Sequence, residues 1–145
     1  MTKISAYPEI TIPTLDDLLI GTDVENLNAT KNFSIQEIVN LAIPYKIYNA
    51  VLTQSGNLAP VATVLQNTLG GTVVWTRDSE GLYLGTLAGA FTPNKTLVQA
   101  TNSTDKINKV SNTTANYIEL SMFDTALQDY TDGFTKLSIE IKVYN

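Results

Sequence analysis

The spacing of hydrophobic residues changes twice along this chain. The opening segment ISAYPEITIPT alternates apolar and polar positions around Pro8 and Pro13. Proline holds its predecessor extended and offers no N–H to a ladder, which favours an arm lying outside any central sheet. Such an arm suits attachment to a partner surface, with Ile4, Tyr7, Ile10, Ile12 and Leu15 as its contacts. It equally suits an edge segment closing over the chain's own core. Next, LLIGTDV and ATKNFSI form two short extended runs around a polar turn at Glu25–Asn28. Ser34 followed three residues later by Glu37 matches a capping box, in which each side chain satisfies an orphan donor of the first helical turn. Ile35, Ile38, Val39 and Ala42 then recur at helical spacing until Pro44. Two strands and a helix of about two turns bury little alone, so residues 1–44 are expected to pack on the rest of the chain or on a neighbouring subunit.

From Tyr45 the period becomes two. YKIYNAVLTQ reads as a long strand and PVATVLQN as a weaker one broken by Gly70-Gly71. TVVWTR and LYLGTL flank DSEG and predict a hairpin with Trp75 opposite Leu84 and Thr76 opposite Tyr83. KTLVQAT and YIELSMF are further strands, and NSTDKINKVSNTTAN holds a short strand or an exposed loop. In the closing KLSIEIKV, Leu137, Ile139, Ile141 and Val143 share one face, while Lys136, Ser138, Glu140 and Lys142 share the other. Seven or eight strands over residues 45–145 predict a mainly β body of sandwich or jelly-roll type. An extended arm and a small hairpin–helix unit precede it.

Composition sharpens this picture. Apolar residues make up 43% of the chain, enough for a core, whereas charged residues reach only 16%. Twenty threonines help fill the difference, and a β-branched polar residue fits exposed strand positions. Neither cysteine nor histidine occurs. Disulfides, Cys or His metal sites, Cys nucleophiles and imidazole bases are thereby excluded. The net charge is −5, and Arg77 is the sole arginine, a poor match to nucleic acid. Residues 1–44 carry two lysines against six carboxylates, for −4, leaving −1 on the remainder. That acidic front could suit a basic docking surface, although solvation alone would explain it. The N-terminus lacks the apolar core of a signal peptide, and no apolar run approaches the roughly 18 residues of a membrane span. Neither a membrane partner nor a cofactor is expected.

An enzyme without His or Cys would have to rely on residues such as carboxylates, Ser, Lys or Tyr. Glu119, Asp124, Asp129 and Asp132 could in principle supply a glycosidase pair, but most sit in turn-like contexts where Asp serves the backbone. The three aspartates of DTALQDYTD invite a calcium reading, yet the EF-hand spacing and its terminal Glu are missing. Neither catalysis nor a metal site is therefore expected, and Asp132-Gly133 is better read as a turn into the last strand. Trp75 and Tyr83, on the hairpin, are candidate ligand or interface aromatics; a Trp in an alternating strand is more often core.

Two stretches resemble known proteins. DDLLIGTDVENLNATKNFSIQEIVNLA is similar to a segment near the N-termini of tailed-bacteriophage fibre and virion-surface proteins, where a LIGTD strand precedes a TKNF strand and a short helix. YNAVLTQSGNLAPVATVLQNTLGGTVVWTRDSEGLYLGTLAGAFTPNKT resembles a β-domain of phage structural proteins, including those of crAss-like phages. Gln54-Ser55-Gly56, Ala59-Pro60-Val61 and Val74-Trp75-Thr76-Arg77 carry this second likeness. The two stretches cover about two-thirds of the chain, and residues beyond Thr101 match less clearly. The resemblance implies a non-enzymatic structural subunit on the capsid exterior, made in the host cytoplasm: a head fibre or capsid decoration anchored by its N-terminal region. A homotrimer is favoured over a dimer, with a major or auxiliary capsid protein as partner. The alternative is a carbohydrate- or receptor-binding module of a tail fibre or baseplate, directed at a host-surface glycan. No coiled-coil heptads or repetitive shaft are present, so a long tail fibre fits poorly.

Overall fold

A computed structural model describes residues 12–111, 114–126 and 129–144. The chain is mainly β, its sheets are antiparallel, and its single described helix is short. By its contacts it divides into two compact units, Met1–Pro44 and Tyr45–Asn145.

In the first unit, β1 (Leu18–Asp23) pairs with β2 (Ala29–Ser34), from Leu18 opposite Ser34 to Asp23 opposite Ala29. Asp23 starts the turn, its carboxylate accepting from the Asn26 N–H at 3.2 Å. Leu27 and Asn28 then complete the turn with φ of +52° and +60°. The asparagine tolerates this left-handed conformation more readily than the leucine does. Gly21 leaves room for the Phe33 ring; a Cβ there would lie 2.7 Å from it. The capping box is present: Ser34 Oγ accepts from the Glu37 N–H at 3.1 Å, and Glu37 Oε2 accepts from the Ser34 N–H at 2.7 Å. It starts α1 (Ile35–Ala42), which ends at Ile43, extended as the residue before a proline should be.

Among its described residues the second unit holds eight strands in two four-stranded sheets. The first sheet runs in the order β4 (Val61–Asn67), β3 (Tyr45–Gln54), β10 (Phe134–Tyr144), β7 (Thr96–Thr101). The second runs β5 (Val74–Ser79), β6 (Leu82–Thr86), β9 (Tyr117–Phe123), β8 (Ile107–Ser111). Alternation decides the faces. Tyr48, Ala50 and Leu52 of β3 and Leu137, Ile139, Ile141 and Val143 of β10 share one buried cluster with Trp75, Tyr83, Ile118, Leu120 and Met122 of the second sheet. This shared core is compatible with a sandwich-like body. Phe91, from the connection after β6, is also fully buried.

The hairpin register differs from the sequence expectation by one residue. Trp75 stands opposite Gly85, Thr76 opposite Leu84 and Arg77 opposite Tyr83. The cause is an irregularity between Arg77 and Ser79, which shortens the turn to Glu80-Gly81 and leaves Asp78 as the extra residue. The consequence is local and large. Gly85 lies under the indole, where a Cβ would come within 2.8 Å of the Trp75 ring, and Arg77 shares the inward-facing series with Trp75.

Candidate functional site

The two units differ most in what they bury. Tyr48, Tyr83, Phe91 and Phe134 are each within 2% of full burial in the body, and each such side chain contributes roughly 2–3 kcal/mol. Among the described residues of the first unit, none is buried. Leu18, Leu19 and Ile20 are exposed in succession, so both faces of β1 leave large apolar side chains in solvent; Leu27 at the turn is 96% exposed and Leu41 of the helix 89%. Ile12, Leu15, Val24, Ile38 and Ile43 are exposed as well. The unit is held by local hydrogen bonds, including Ile35 N–H to Asp17 O and Gln36 N–H to Leu15 O, both 3.0 Å. Its ion pair, Lys31 Nζ to Asp23 Oδ2 at 2.7 Å, is surface-exposed and worth at most about 1 kcal/mol. Ten large apolar side chains of this unit therefore stand in solvent around little interior.

Of the residues expected to contact a partner surface, Ile12 and Leu15 are exposed, and Ile4, Tyr7 and Ile10 lie outside the described residues. Leu18, Ile20 and Leu41 are exposed beside them, which the sequence hid because amphipathic patterning normally implies a covered face.

Trp75 and Tyr83 do not form an exposed aromatic platform. Trp75 is 6% exposed and Tyr83 fully buried. Both occupy inward-facing positions of their strands, where the alternation that made them conspicuous also places them in the core. The Trp75 indole N–H donates to the Tyr48 hydroxyl at 3.2 Å and so ties one sheet to the other.

Beside them lies a polar cluster that the sequence did not announce. The Asp132 carboxylate accepts from Arg77 Nη2 at 2.6 Å, from Arg77 Nε at 3.1 Å, from the Gly81 N–H at 3.0 Å and from the Tyr83 hydroxyl at 2.6 Å. The Arg77 guanidinium, foremost, holds the Asp132 pKa down at about 2 against partial burial. Burial, foremost, with the hydrogen bond to Asp132, pushes the Tyr83 phenol well above its ordinary value. Lys106 Nζ donates to the Asp132 carbonyl, and the Gly133 N–H donates to Gln54 Oε1 at 2.6 Å. Every oxygen of the Asp132 carboxylate is therefore engaged, which makes the cluster a clamp on the connection into β10. No group of three or more metal-ligating side chains occurs among the described residues. No protein-family model, curated protein or solved structure matches this chain.

Proposed function

We propose that this chain is a non-enzymatic structural subunit of a bacteriophage virion, a head fibre or capsid decoration protein. In this reading residues 1–44 dock on a capsid protein and residues 45–145 form a β-sandwich that projects from it. The observation that carries the proposal is the contrast between a body with a complete core and an N-terminal unit with no buried side chain among its described residues. Such a unit completes its packing against another surface, and the resemblance of LIGTD and TKNF to virion-surface segments supports the capsid as that surface. A homotrimer fits the reading, because closed symmetry would let three such units cover one another's apolar strands beside the capsid.

The test is removal of residues 1–14, which takes away the arm with Ile4, Tyr7, Ile10 and Ile12. Truncated protein supplied during assembly should be absent from purified particles while its body keeps a dispersed NMR spectrum. Incorporation at the full-length level would refute docking through the arm.

A further inference from the structure

One pocket of the body combines an apolar lining with two lysines. It opens where Lys46 of β3 and the end of β10 meet the connections after β4 and after β6, and it encloses about 330 Å³. Leu69, Leu87, Ala90 and Val143 line its floor; Leu69 and Val143 are buried members of the core cluster, and Leu87 and Ala90 pack against it. Its rim carries Lys46, Lys95 and Tyr144. Lys46 pairs with Val143 and belongs to the same inward-facing series as Tyr48, Ala50 and Leu52. A cation thus occupies an inward-facing register at the mouth of the core.

Charge makes the arrangement specific. The chain has fourteen carboxylates against nine cationic side chains, yet no acidic residue lines this pocket. Among the described residues, the ion pairs are Lys31–Asp23, Arg77–Asp132 and Lys142–Glu140, so neither Lys46 nor Lys95 has a carboxylate partner there. Both lysines are exposed at the solvent edge of an apolar lining, which makes this pocket locally cationic in a chain of net charge −5. The matching ligand has an anionic group for the lysines and a compact apolar face for the floor. The volume lies at the lower end of the roughly 300–1,000 Å³ of small-molecule sites, about the scale of one sugar ring. A pyranose presents a C–H face to an apolar floor or a tyrosine ring, and its hydroxyls match the Thr92 side chain on the lining.

We infer that this pocket binds a carboxylate-bearing pyranose, a uronic or sialic acid unit, through Lys46 and Lys95 over the Leu69–Leu87–Val143 floor. The inference does not depend on capsid docking, which concerns the other unit. Its test is an NMR titration of the full-length protein with glucuronic acid, N-acetylneuraminic acid, glucose, benzoate and sulfate, read at the amides of Gly70, Gly89 and Lys95. At least one acidic sugar should give saturable shifts at these amides in the millimolar range, and glucose, benzoate and sulfate should give at least fivefold weaker ones. K46Q and K95Q should each weaken binding severalfold, and the double variant should abolish it. Were the double variant unfolded, a severalfold loss of wild-type affinity in 0.5 M NaCl would carry the same information. No saturable shift at tens of millimolar acidic sugar would overturn the inference. So would equal shifts from glucose, which would remove the role of the lysines, or from benzoate or sulfate, which would remove the role of the sugar.

Discussion

Asp132 shows how one side chain can fix a loop. Its carboxylate gathers Arg77 from β5, Gly81 from the hairpin turn and Tyr83 from β6, none of them nearer than 49 residues in sequence. A lowered carboxylate pKa means that protons bind the unfolded chain more readily than the folded one. The stabilisation is therefore complete above the ordinary value of 3.8 and is lost as pH falls through about 2. With the side chain only 18% exposed, that displacement corresponds to about 2 kcal/mol. Tyr83 has the opposite sign: its raised pKa gives stabilisation that is complete below 10.0 and lost at higher pH. Urea unfolding followed from pH 2 to 11 should show a plateau between these limits. Asp132→Asn should lower the plateau by about 2 kcal/mol and flatten the acid limb, and Tyr83→Phe should flatten the alkaline one. An acid limb unchanged in Asp132→Asn would show that the clamp does not govern acid stability. None of this was legible in the sequence. Asp132 looked like an ordinary turn residue, and Arg77 lies 55 positions away with no local pattern to link them.

At the scale of elements, the helix gives the clearest case of local control. Its eight residues are too few to be stable alone in water, and none is buried, so the Ser34–Glu37 box carries an unusual share of its stability. Ser34→Ala should cost about 1 kcal/mol and erase the helical Cα shifts of residues 35–42, whereas Ser34→Asp should retain them. Helical shifts surviving in the alanine variant would mean that packing, not the cap, holds α1. The strands were legible for a related reason. YKIYNAVLTQ corresponds to β3 (Tyr45–Gln54), and the alternating face of KLSIEIKV is the buried face of β10. Each reports a half-buried pleat directly in its own residues. The β5–β6 register was not legible, because the extra residue at Asp78 depends on pairing rather than on propensity. The same slip explains Gly85, a small residue in a strand whose purpose appears only once the Trp75 ring lies over it.

For the whole molecule, the decisive quantity is the imbalance between its units. The body buries aromatic residues from both sheets in one core, while the first unit leaves Leu18, Ile20, Leu27 and Leu41 in water. A two-stranded hairpin with a two-turn helix is marginal at best without a covering surface. Self-association in threes would supply that cover, although the −4 charge of residues 1–44 opposes it by like-charge repulsion. Trimer formation should therefore strengthen with salt, the reverse of an association driven by opposite charges. Native mass spectrometry and sedimentation of the full-length protein should find three chains at micromolar concentration, with a larger trimer fraction at 0.5 M NaCl than at 0.05 M. Hydrogen exchange should show protection of the β1–β2 amides rising with protein concentration, and that of the β3–β10 pair staying constant. A monomer at every concentration, with hairpin amides exchanging at unprotected rates throughout, would eliminate the trimer. The proposed capsid docking would then have to provide the cover by itself, and adding purified capsid protein should slow exchange of those amides.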